Sequence, residues 1–171
     1  MKGEARKPLE FVRVRPLLFH RYADEFRLAA LDMKSDFTPV QCFLYCRSIE
    51  LSLKAFLLTK GVPVSKFRDR KKGIGHDLEA ALREAESRGL SDFIEIGGES
   101  REELKKANDY YLAKGLEYAD DEEVMMGHKY FLPDPKVLSK FALGLVYVFV
   151  EFWSESVQGL VQKSGVGKFE I

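Results

Sequence analysis

Arg47, Glu50 and Lys54 stand three and four residues apart, a spacing that sets all three side chains along one strip of an α-helix. Two cations flanking a carboxylate can hold and orient a phosphate, and the same three types pair with one another when a helix is buried. Spacing alone leaves both readings open, a polar cleft or an internal ion-pair strip. A second set follows in the run KFRDRKK over residues 66–72, where Lys66, Arg68, Arg70, Lys71 and Lys72 face a single acid, Asp69. Such a patch suits RNA phosphates, although Phe67 is its one aromatic, and a solvated loop reads equally well. Just beyond it, His76 has the chemistry of a general base, with Arg70 and Lys72 placed to steady a developing phosphorane charge. The plainer expectation is that His76-Asp77-Leu78 begins a helix.

No metal or other cofactor is expected. Cys42 and Cys46 lie four apart within an apolar helical arc, and with His20 or His76 they match no common zinc spacing. Five acids fall between Glu117 and Glu123, but without the glycine-bearing periodic pattern of a calcium loop, so a solvated or partner-facing loop is expected there.

The element that must carry the Arg47 strip is residues 38–61, which read as one long helix, apolar over most of its circumference. Tyr45, Cys42, Cys46, Ile49, Leu53, Phe56 and Leu57 fill one arc and Leu44, Leu51, Ala55 and Leu58 a second, while Ser48 and Ser52 let a neighbour approach closely. Thr38-Pro39-Val40-Gln41 has the form of a capping box with proline at the first helical position, and Gly61 marks the end. Before it, Leu18, Tyr22, Phe26, Ala29 and Met33 define the expected buried face of a first helix over 17–33, with Arg21, Glu25 and Asp32 outside.

After it, Asp77 caps a helix with the stripe Leu78, Ala81, Leu82 and Ala85, ending by Gly89. Ser100 to Glu103 reads as a second capping box, opening a helix with Leu104, Ala107, Tyr111 and Gly115 on one face and Asn108, Tyr110 and Lys114 as its polar remainder. Residues 115–134 form a connection of about 20 residues, long for a compact domain. Asp134-Pro135 then starts a last helix, 136–163, apolar almost all round from Phe141 to Trp153.

An all-α bundle of about five helices follows: a charged arm over 1–16, one domain over 17–163 and a loose tail over 164–171. The chain is 171 residues with 27 basic and 27 acidic side chains, so no global field draws nucleic acid or an anionic membrane. The opening residues lack an apolar stretch of signal-peptide length, and residues 141–150 are too few to span a bilayer. A cytoplasmic protein without a membrane partner is expected. The apolar last helix, lacking a polar face, points to a homodimer with Phe149, Phe152 and Trp153 near its axis.

The order Glu50, Lys54-Ala55, Lys60-Gly61, a variable loop, then Gly75-His76-Asp77-Leu78, with Asn108, Tyr110, Tyr111 and Tyr118 later, resembles the HEPN family (higher-eukaryote-and-prokaryote nucleotide-binding domains). The resemblance covers residues 17–118 and extends to the last helix. It implies an up-and-down helical bundle, frequently dimeric, of toxin–antitoxin, phage-defence and RNA-processing systems, often beside a minimal nucleotidyltransferase partner. Active members of that family are metal-independent ribonucleases with an arginine and a following histidine separated by four to six residues near the start of the last helix. Here no histidine follows His128, and Asp121, Glu122 and Glu123 occupy the positions where that arginine would stand. The spacing recurs only as Arg13 or Arg15 before His20 and Arg70 before His76. The expectation is therefore a binding or interaction module acting on a nucleotide, an RNA or a partner protein, with ribonuclease action through Arg70 and His76 as the alternative.

Overall fold

The computed structural model describes residues 16–34, 38–68, 73–117 and 132–164, with side chains to Val150 in the last stretch. The arm over 1–15, Arg70, Lys71 and Lys72, the acidic run beyond Glu117, His128, the tail, and the side chains of Phe152 and Trp153 lie outside the described residues. All regular structure among the described residues is helical: α1 (Pro16–Asp32), α2 (Thr38–Thr59), the single turn α3 (Ser65–Arg68), α4 (Leu78–Glu86), α5 (Gly98–Leu112) and α6 (Pro135–Ser164). A 3-10 turn, Leu90–Asp92, links α4 towards α5. No helix among the described residues is long and apolar enough to cross a membrane.

The bundle is built around α2, which packs on α1, α4, α5 and α6. Its whole first arc, from Cys42 to Leu57, is buried, with Ile49, Leu53 and Leu57 fully so. Each such side chain contributes roughly 1.5–3 kcal/mol of burial free energy. The second arc is shared between Ala55, fully buried, and Leu44 and Leu58, packed partly buried against the core. Ser48 and Ser52 are buried as their size suggested, and their hydroxyls have no partner among the described residues.

The end of α2 fixes the path into the site. Gly61 sits at φ +80°, Gly61 N–H donates to the Leu58 carbonyl and Val62 N–H to the Leu57 carbonyl, the paired bonds of a Schellman ending with two buried apolar residues beneath it. A Cβ added at Gly61 meets no atom within 4 Å. Gly61→Ala is therefore expected to cost about 1 kcal/mol through backbone strain alone. Urea denaturation reads this directly, and an unchanged midpoint would contradict a left-handed terminus.

Three local expectations are corrected. The face of α1 that enters the bundle holds Ala23 and Ala30, both fully buried, whereas Leu18 and Tyr22 are about half exposed. Two alanines seven residues apart let the α1 backbone approach its neighbours closely, and this outweighs the larger area available on the opposite side. The helix α5 begins at Gly98, with Gly97 as its cap and no side-chain capping bond, rather than at the Ser100 box. Gln41 does not close a capping box at the described positions: its side-chain amide donates to the Ala30 carbonyl at 2.9 Å, fastening the end of α1.

The last helix starts as read, with Asp134 Oδ1 accepting from Lys136 N–H at 2.7 Å. Its burial is wide, but Phe149 is core rather than interface: it is 2% exposed, with its ring stacked on His20 of α1 at 4.4 Å. The apolar face that α6 leaves open is formed by Leu143, Tyr147 and Val150.

Candidate functional site

Glu50 lies at the middle of α2, 2% exposed, and both its oxygens are filled. Lys54 Nζ donates to Oε1 at 2.5 Å, one turn along the same helix. Arg47 Nη1 donates to Oε2 at 2.8 Å from one turn before. The Tyr111 hydroxyl of α5 donates to Oε2 at 2.5 Å and itself accepts from Arg47 Nη1 at 3.1 Å. His76 completes the set, its Nδ1 3.1 and 3.2 Å from the two carboxylate oxygens. An ionised carboxylate only accepts, so this contact assigns the proton to Nδ1 and leaves Nε2 outward.

Burial by itself raises the Glu50 carboxyl, but the Lys54 charge and hydrogen bond, the Tyr111 hydroxyl and Arg47 together outweigh it and hold the group below its ordinary range. Tyr111 moves the opposite way: burial, then the Glu50 charge and its hydrogen bond, raise the phenol, so it stays a donor at neutral pH. Burial opposes the charge on Arg47, yet Glu50 and Tyr111 keep it firmly cationic.

The placement of His76 follows from its neighbour. Asp77 does the capping of α4, accepting from Ala80 N–H at 2.8 Å, and Asn108 of α5 accepts from Leu78 N–H at 2.8 Å. With Asp77 supplying the helix start, His76 lies two residues before α4 and is free to turn towards Glu50, so its role is not that of a cap. Asn108, expected among the polar remainder of α5, is 3% exposed and spends its amide on Asp77 and Glu79.

Beside this network opens a cleft of about 400 Å³ lined by Phe43, Arg47, His76, Tyr111, Leu112, Lys114 and Glu117. The side chain of His76 is 67% exposed and that of Arg47 27%, whereas Lys54 sits at 7% behind Glu50 with its ammonium over the Phe67 ring. The hydrogen bonds of Arg47 to described residues run through Nη1, and its guanidinium lies over the Phe26 ring at 5.8 Å, which leaves Nε and Nη2 without a described hydrogen-bond partner. The site is thus a cleft and an ion-pair network at once: two cations, one buried carboxylate, and an imidazole at the mouth.

Compared with protein families, curated proteins and solved structures, the chain matches none.

The structure brings Arg47, Glu50, Lys54 and His76 together. It leaves Arg68 exposed at the end of α3, away from the cleft lining, while Arg70 and Lys72 are among the positions outside the described residues. The basic run also loses its stacking ring, because Phe67 is 7% exposed and covered by Lys54, and Lys66 pairs with Glu84 at 2.9 Å. Tyr111 and Lys114 are the positions of the candidate site that sequence reasoning missed. A buried tyrosine needs a partner for its hydroxyl, and that was the available signal in the α5 stripe.

The two cysteines are packing residues. Cys42 Sγ donates weakly to the Pro133 carbonyl at 3.4 Å, and burial, then Asp134 and Glu103, push its thiol up to about 12. Burial raises Cys46 further, so neither is a thiolate near neutrality. No group of three or more metal-binding side chains stands together among the described residues.

Proposed function

We propose that the protein is a HEPN-like helical binding module whose cleft at Arg47 and His76 takes an anionic ligand, a nucleotide or an RNA phosphate, without cleaving it. One observation carries this reading. Arg47 and Lys54 share a single carboxylate, so among the described residues the network holds one more positive charge than negative, and Arg47 delivers it to an open cleft. A partly buried excess charge is costly unless an opposite charge meets it. Phe43, Tyr111 and Leu112 beside the cations supply an apolar wall of the kind on which a base rests. The all-helical bundle is compatible with the family resemblance of residues 17–118.

The same reading includes a cytoplasmic setting, a homodimer and a nucleotidyltransferase-type partner protein. Support for an assembly comes from Leu143, Tyr147 and Val150, exposed on one face of α6 at spacings of four and three.

A second reading, ribonuclease action through Arg70 and His76, is favoured by one feature: Glu50 fixes the imidazole with Nε2 outward, the orientation a general base needs. Incubating the purified protein with total RNA in EDTA separates the two. The expected result is no cleavage above background. Cleavage that disappears in both Arg70→Ala and His76→Ala would replace the binding module with an enzyme.

A further inference from the structure

We propose that the cleft selects a phosphomonoester over a phosphodiester and that His76 takes up one proton when the monoester binds. This rests on the reading of the cleft as an anion site and adds the charge state of its ligand. The groups around His76 are Glu50 of α2, which it contacts, with Lys54 paired behind that carboxylate, Arg47, Tyr111, Lys114 and Glu117, which line the cleft with it, and Asp77 beside it in the chain. Asp77 lies outside the cleft lining, where its carboxylate accepts from the start of α4 and from Asn108, and Tyr111 is held neutral. Among the described residues, the charges that line or back the cleft are three positive, Arg47, Lys54 and Lys114, against two negative, Glu50 and Glu117.

With a neutral imidazole that balance is one positive charge, which matches a phosphodiester. A monoester near neutral pH carries nearly two negative charges and leaves one of them unmatched. Imidazole is the side chain in the lining whose charge changes near neutrality. Its position allows the change without rearrangement. Nδ1 already holds a proton towards Glu50, so the second proton goes to Nε2, which then becomes a charged donor for a phosphate oxygen. The Glu50 contact is the same in both states. A volume of about 400 Å³ is also the size of a single small ligand.

Calorimetric titration of the whole protein tests this with three probes: 5′-AMP, inorganic sulfate, whose charge is constant across the range, and the diester adenylyl-adenosine. Measurements are made at about pH 6.5 and about pH 8.5, each in two buffers of different ionisation heat. AMP and sulfate are expected to bind roughly tenfold more tightly at the lower pH, the effect of one charge-assisted hydrogen bond, with proton uptake from the buffer. The diester should bind more weakly and show little pH dependence. His76→Gln, at a largely exposed position, should reduce the AMP affinity at the lower pH to its value at the higher one and abolish the proton uptake. Equal AMP affinity at both pH values without proton uptake, or a diester that binds as tightly as AMP, overturns the inference while the anion site stands. Failure of all three probes to bind overturns the anion site itself.

Discussion

Glu50→Ala is expected to lower the free energy of unfolding by about 3–5 kcal/mol, the range for removing one member of a buried charged group. The carboxylate receives Lys54, Arg47, Tyr111 and His76, and its loss leaves Lys54, 6% exposed, without its described counter-charge. Lys54→Met should cost less, because Glu50 then keeps Arg47, Tyr111 and His76 and the thioether chain fills a similar volume. Urea denaturation at neutral pH measures both. A loss below about 0.5 kcal/mol for Glu50→Ala, the size of an ordinary surface change, would mean that the strip is solvated.

The same carboxylate sets an acid dependence with a definite sign. Its folded-state value is depressed, so its contribution is present above the unfolded carboxyl range and is lost as pH falls through the folded value. The stability gap between the wild type and Glu50→Gln should thus be full near neutrality and shrink below about pH 4, where an unfolded glutamate is itself protonated. A gap that widens on acidification would contradict the assignment of Glu50 as an ionised hub.

The second large effect is on binding. Arg47→Ala is expected to weaken sulfate and AMP binding by roughly 10- to 100-fold, since a hydrogen bond to a charged group is worth about 1.5–3 kcal/mol. Arg47 is 27% exposed and brings the guanidinium to the cleft wall, while Glu50 keeps Lys54, Tyr111 and His76 in its absence. Stability should accordingly fall far less than in Glu50→Ala. Unchanged anion affinity in a folded Arg47→Ala protein would place the ligand elsewhere.

Legibility in the sequence followed the range of the interactions involved. The central helix, its buried arc, its Gly61 ending and the Asp77 cap are set within a few residues of chain, and each was readable from periodicity or capping chemistry. The Arg47, Glu50 and Lys54 strip was readable for the same reason, as neighbours on successive turns of one helix. The face of α1 was not, because Leu17, Leu18, Tyr22, Leu28 and Leu31 give it apolar residues on the outside as well, and shape rather than hydrophobicity chose Ala23 and Ala30. Tyr111 joins Glu50 across 61 positions and His76 across 26, and no local pattern encodes such meetings. Only the burial of a tyrosine on an otherwise aliphatic stripe hinted that α5 contributes to the site.

Mapping amide, arginine side-chain and imidazole NMR shifts during a sulfate titration tests the excess charge at the Arg47 cleft most directly. Saturable shifts are expected, centred on the Arg47 guanidinium, the His76 ring and Lys114, with Glu50→Gln still binding and Arg47→Ala approaching saturation only at far higher sulfate. Shifts that stay linear with sulfate, or that cluster on Arg68 and the face of α3 instead, would contradict it.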